Sequence, residues 1–236
     1  MRRIVFASLM GLAVIALCGL GVWQVQRLFW KEALIAHVNA VVHAPAVAAP
    51  GPTAWAGLSQ DDVYRHVTIR GRFLNAAEAQ VYALSDLGAG YWIMTPLRAN
   101  DGALVYINRG FVPTELKAQA AHAAGQTDAE VTVTGLLRLS EAKGALVSQP
   151  NDPAHDLWYR RDLSALAQSR HLGTVAPYFI DADATPNPGG WPRGGLTVIS
   201  FPNSHLVYAI TWFSLAAMLA GVLIWQFRKG ADAAEK

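Results

Sequence analysis

Two long apolar runs bracket the chain. Ile4 to Gln26 holds 23 residues without a charge, and Leu206 to Phe227 holds 22. At about 1.5 Å per helical residue each crosses a hydrocarbon core of about 30 Å, so the pattern predicts two membrane-spanning helices. The first continues past that depth, because Trp23, Arg27, Trp30 and Leu34 keep i, i+4, i+7, i+11 spacing. It fades into "HAPAVAAPGP" (43 to 52), and this Pro- and Ala-rich stretch places a linker over 43–57.

Between the runs the helical period gives way to alternation. "VYRHVTIRGRFL" (63–74), "AQVYAL" (79–84), "GYWIMTPL" (90–97), "ALVYINRGFV" (103–112), "EVTVTGLLRL" (130–139) and "APYFIDA" (176–182) are rich in β-branched and aromatic residues and read as strands. "NDGA" (100–103) reads as a hairpin turn. "TELKAQAAHAAGQT" (114–127) is expected to carry a short polar helix, and Asp162 to cap a second one over "LSALAQSR". "TPNPGGWPRGGLT" (185–197) breaks regular structure before the second run. The expected architecture is membrane α+β: two transmembrane helices (1–27 and 205–228) flank a mainly antiparallel, small barrel-like β domain (28–204) with one or two short helices, followed by a tail (229–236).

Composition agrees, since 53% apolar with 15% charged residues is too apolar for an ordinary soluble domain. Arg2, Arg3, Arg228, Lys229 and Lys236 lie beyond the far ends of the runs, against Arg27, Lys31 and Arg193 near the inner ends. That bias puts the termini in the cytoplasm and the domain outside. With no Arg-rich amphipathic presequence ahead of the first run, the expected compartment is a bacterial inner membrane with a periplasmic domain. A cleaved or lipoprotein signal fits less well, because Leu17 precedes Cys18 where a small residue is required and the run is long. Residues 28–204 hold 13 basic and 15 acidic side chains, a net −2 that offers nucleic acid no footprint. The single Cys excludes an intrachain disulfide, a redox pair and a CxxCH haem attachment.

Candidate chemistry gathers where the second run begins, at "FPNSHLVYAITWF" (201–213). His205, Tyr208 and Trp212 recur at i, i+3, i+7 and share a helix face. Counted from Ile4 and from Phe227, Arg27 and His205 lie about 35 and 33 Å out, at one outer interface. One reading is an interfacial aromatic belt with a hydrogen-bonded imidazole. The other makes His205 an axial haem-iron ligand with Tyr208 and Trp212 as walls, and with propionates near Arg27 or Lys31. Ala7, Gly11, Cys18 and Gly19, with Ala216/Ala220 and Ala217/Gly221, offer small surfaces for helix pairing. In "YINRGFVP" (106–113), Asn108, Arg109 and Gly110 end a strand and read either as a turn or as a contact site. His66, His122, His155 and His171 lack metal spacing, and neither a GxSxG elbow nor a phosphate loop is present.

"LGVWQVQRLFWKEALI" (20–35) and "PGGWPRGGLTVISFPNSHLVYAITWF" (188–213), with "YWIMTPL", "VYINRGFVP", "LLRLSE" and "WYRRDL" between them, resemble the surfeit-locus family of cytochrome c oxidase assembly proteins over nearly the whole chain. The resemblance implies a non-enzymatic, two-span protein that assists maturation of oxidase subunit I alongside the haem a synthase. It also implies transient haem a binding, with His205 as the iron ligand. The first-span motif falls on Gly21, Trp23, Gln24 and Arg27, so Trp23 and Arg27 are expected to close the pocket. The strand motif falls on Asn108, Arg109 and Gly110, expected to serve interaction. Ser204 stands where the family pattern has Asn, and a serine caps a helix as well. The alternative is a scaffold that stabilises subunit I intermediates without touching haem.

Overall fold

The helix that opens the chain, α1 (Arg2–Val42), runs unbroken for 41 residues because its first proline is Pro45. A computed structural model describes residues 2–142 and 149–232; of the tail read over 229–236, residues 233–236 lie outside this range. Further along, α2 spans Leu163–Ser169 and α3 spans His205–Asp232. Both α1 and α3 are long and apolar enough to cross a membrane, and only 11% of the most apolar window of each is buried. A core helix of a soluble protein would hide such a stripe. Here Ile4, Leu12, Ile15, Val207, Ile210 and Met218 are all at least 58% exposed, as a lipid-facing surface requires. Pro202 keeps α3 from extending backwards, and Asn203 Oδ1 accepts the His205 N–H at 3.4 Å, so the side-chain cap comes from Asn203 and not from Ser204.

Residues up to Val38 and from Ile199 form one unit, a helix pair. Gln24 of α1 meets His205 at the start of α3, while Ile4, Ala7, Ser8 and Phe227 line one surface depression at the other end, so the pair is antiparallel. Its seam uses small residues, only some of them the expected ones, Ala216 among them. A Cβ on Gly21 would sit 2.7 Å from the Phe213 ring, and Ala209 and Ala216 are buried, whereas a Cβ on Gly11, Gly19 or Gly221 would meet nothing within 4 Å.

Among its described residues, the second unit, Asn39–Val198, contains seven strands: β1 (Val47–Ala48), β2 (His66–Phe73), β3 (Ala79–Ser85), β4 (Gly88–Ala99), β5 (Leu104–Pro113), β6 (Val131–Leu139) and β7 (Val175–Ala182). Their order is β1-β2-β6-β7-β5-β4-β3, and an extra β2–β4 pairing closes β2, β6, β7, β5 and β4 into a five-stranded barrel. Pairing is antiparallel except for β5–β7 and β1–β2. Closure turns on Gly71, which opposes Val131 on β6 and Ala99 on β4 at once. A Cβ there would run into the Arg98 carbonyl, so two neighbouring backbones leave room only for glycine. Val67, Ile69, Leu97, Val105, Ile107, Leu137, Tyr178 and Ile180 fill the barrel. The alternate residues Tyr106 and Phe179 face outward and pack with Trp158, Leu163 and Leu166 under α2. Asp162 Oδ1 accepts the Ala165 N–H, as a cap should.

Two expectations change. Residues 43–57, read from composition as a linker, join the barrel: β1 pairs with β2, Trp55 packs on the core, and the Pro50 carbonyl accepts from Trp55 Nε1 (3.0 Å) and Tyr178 Oη (2.9 Å). Proline removes a donor but leaves its carbonyl, which is what this contact uses. Residues 114–127 form two 3-10 segments, Thr114–Leu116 and Gln119–Gly125, in place of an α-helix. The turn at 100–103 is as expected, with Ala99 N donating to Ala103 O and Gly102 at φ +89°.

Candidate functional site

Where α3 begins, the His205 ring turns into the helix pair and its Nδ1 lies 2.7 Å from Gln24 Oε1. Gln24 is only 9% exposed, an amide set in an apolar run that is hidden because it has this partner. His205 Nε2 makes no hydrogen bond with any described residue. Taking the Gln24–His205 contact as the facing point, 100° per residue puts Trp23, Arg27, Tyr208 and Trp212 on one flank of the antiparallel seam and Gly21 and Phe213 on the other. The first flank is open: Trp23 is 51% and Tyr208 53% exposed. Arg27 stacks its guanidinium 4.6 Å from the Trp30 ring, and Lys31 stands over Phe201 at 5.3 Å.

These residues bear on whether haem fits. An imidazole whose Nδ1 is engaged and whose Nε2 is free has the donor chemistry of a single axial ligand, flanked by an indole and a phenol. The Gly21–Phe213 contact closes the seam itself, so the open flank is the space available. Among the described residues no group of three or more His, Cys, Asp or Glu could hold a bare metal ion.

In the barrel unit, Asn108, Arg109 and Gly110 are all buried, so the strand expected to offer a contact surface is internal. Alternation sends Asn108 outward and Arg109 into the barrel end. Asn108 Nδ2 donates to Asp181 Oδ1 at 2.7 Å, and Asp181 also accepts from Thr197 (3.0 Å), Arg138 (3.3 Å) and Arg161 (3.4 Å). Glu141 takes the other side of Arg161 through two hydrogen bonds, 2.5 and 3.0 Å. Burial alone would lower the Arg161 pKa, but Asp181 and Glu141 outweigh it and hold the guanidinium above its ordinary range. This cluster floors an open recess of about 610 Å³ whose walls include Trp92, Leu84 and Val198.

Arg109, 3% exposed, donates to the Gly125 carbonyl and to Asn187 Oδ1 (3.2 Å) and lies 4.7 Å from the Phe73 ring. Burial pulls its pKa down while Glu78 pushes it up. Beside it, His122 Nε2 lies 3.0 Å from Glu78 Oε1 and Nδ1 lies 3.1 Å from the Leu116 carbonyl. The Leu116 carbonyl can only accept, so this contact fits an Nδ1–H donor.

Gln24 entered the sequence reading only as a motif position, and Asp181, Arg138, Arg161 and Thr197 not as a group. The signal for Gln24 was its polarity inside an apolar run at the depth of His205. For the Asp181 cluster the only local signal was a charged residue at an alternating strand position.

Comparison with known proteins matches the SURF1 family model over residues 11–217. The chain is 36% identical to surfeit locus protein 1 of Rattus norvegicus, over 89% of this chain and 71% of that protein. It is 36% identical to a SURF1-like protein of Monosiga brevicollis, over 91% and 84%, and 33% identical to surfeit locus protein 1 of Homo sapiens, over 90% and 74%.

Proposed function

This chain belongs to the SURF1 family, and we propose on that footing that it is a non-catalytic membrane assembly factor that holds haem a on its way to subunit I of cytochrome c oxidase. Membership supports the role in oxidase assembly, and the two apolar helices fit a membrane protein. The haem step is carried by one observation: a histidine at the head of α3 whose Nδ1 is committed and whose Nε2 is not. His205 would offer the haem iron its Nε2 nitrogen, and Trp23, Tyr208 and Trp212 would cover the macrocycle on the open flank. Arg27 supplies positive charge for the propionates. Haem a is cargo here, to be passed on to subunit I. We place the protein in a bacterial inner membrane, termini cytoplasmic and barrel periplasmic, with oxidase subunit I and the haem a synthase as partners.

The test is to co-express the full chain in a haem a-producing host, purify it in detergent and record its visible spectrum beside His205→Ala. Loss of haem content and of the Soret band in the variant is expected. Unchanged haem content removes the ligand role and leaves the scaffold reading, in which His205→Ala preserves oxidase assembly.

A further inference from the structure

We infer that Gln24 is a positioning residue that holds the neutral His205 ring as its Nδ1–H tautomer and so reserves Nε2 as the only lone pair the ring can offer. The significance for haem rests on the reading above; the tautomer does not.

A neutral imidazole has one N–H and one lone pair, and which nitrogen holds which is set by what each one meets. Nδ1 meets an amide oxygen at 2.7 Å, and an oxygen of that kind accepts without donating. The hydrogen therefore sits on Nδ1 and the lone pair on Nε2, which has no partner among the described residues. The contact spans 181 positions of sequence and joins α1 to α3. It lies where Gln24 is almost completely hidden, so water competes weakly for either group. Gln26, two residues on, is exposed and does not share the role, which separates the effect of Gln24 from polarity in general. Ligand histidines are commonly steered in this way, with the second ring nitrogen donating to an oxygen that fixes orientation and raises basicity.

The experiment uses the full chain in detergent micelles, labelled with ¹⁵N-histidine, without haem, at a pH where the rings are neutral. Long-range ¹H–¹⁵N spectra read the tautomer directly, and His205→Ala identifies the signal among the seven histidines. The wild type is expected to show Nδ1–H. Gln24→Leu, which keeps bulk and loses the acceptor, is expected to shift the ring toward Nε2–H, and Gln24→Glu to retain Nδ1–H. An Nε2–H ring in the wild type, which needs no variant to fold, overturns the inference, as does a ring unchanged by Gln24→Leu. On the same proteins, haem affinity should fall roughly 10- to 100-fold in Gln24→Leu and recover in Gln24→Glu. Full affinity in Gln24→Leu overturns the positioning role. If His205→Ala also keeps full affinity while the tautomer behaves as expected, the haem reading has failed and the tautomer assignment stands.

Discussion

Replacing Asp181 by Asn removes one charge from the barrel wall and almost no volume. The carboxylate is 4% exposed and accepts from Asn108, Thr197, Arg138 and Arg161, with no hydrogen-bond acceptor bound to it among the described residues. An amide in that place turns an NH₂ toward a donor whichever way it is set. The two guanidiniums, 20% and 15% exposed, cannot respond by losing protons, so they stay charged with Glu141 as their remaining counterion. Breaking a pair of this burial by removing one partner costs about 3–5 kcal/mol. For a unit of this size that lowers Tm by roughly 6–20 °C, at about 2–4 °C per kcal/mol. Thermal unfolding of the full chain, followed by near-ultraviolet circular dichroism, reads the barrel through the packed Trp158. Asp86→Asn, an exposed change at the rim of the same recess, is the control and should cost under about 0.5 kcal/mol. A Tm drop under about 2 °C in Asp181→Asn would refute the idea that this carboxylate organises the cluster.

Two further outcomes follow from the packing. Gly21→Ala would set a methyl 2.7 Å from the Phe213 ring, so it should destabilise the helix pair by about 1 kcal/mol, and Phe213→Ala in the same chain should restore the loss; strictly additive effects in the double-mutant cycle would contradict the contact. Burial raises the phenol pKa of Tyr178, with Asp101 adding to it, and burial likewise raises that of Tyr106 against an opposing pull from Arg170. A raised folded pKa gives stability that is whole below the unfolded value of about 10 and is lost as pH climbs above it. Stability should therefore fall above about pH 10, with two of the seven tyrosines forming phenolate only as the barrel unfolds, and Tyr178→Phe should remove one of them from that late phase. Phenolate absorbance read alongside circular dichroism checks this.

Strands were legible because a half-buried strand writes its geometry locally, as "EVTVTGLLRL" does. Both helices were legible because a bilayer demands an uncharged length. The number of short strands made a small barrel legible too, but not the residue that closes it, since Gly71 must oppose two strands whose partners lie far off in sequence, and a lone Gly in a strand carries no address. The segment 43–57 misled because composition reports how much apolar surface a segment has, while this one is fixed by one indole and one carbonyl. At the helix pair, helical rise put His205 and Arg27 at one depth but could not give the Gln24 contact, because no periodic pattern links positions on two separate helices. The Asp181 cluster draws on β5, β6, β7 and residues 161 and 197, so only the fold assembles it.

The motif at 108–110 is three adjacent buried residues, each engaged within the barrel unit. Each fixes one point on the strap, residues 187–197, that returns from the barrel toward the second span. Asn108 reaches it through Asp181, whose other oxygen accepts from Thr197. Arg109 reaches it by donating to Asn187, which in turn donates to the Arg109 and Pro192 carbonyls. Gly110, at φ +126°, lets the strap approach so closely that a Cβ would strike the Arg193 carbonyl, and Phe111 exchanges two 2.9 Å backbone hydrogen bonds with Arg193 beside it. Since neighbouring strand residues face opposite ways, one strap held from both sides and through the backbone needs three consecutive, chemically different residues. The Asn-Arg-Gly triplet is therefore accounted for by anchorage of this strap within the barrel unit.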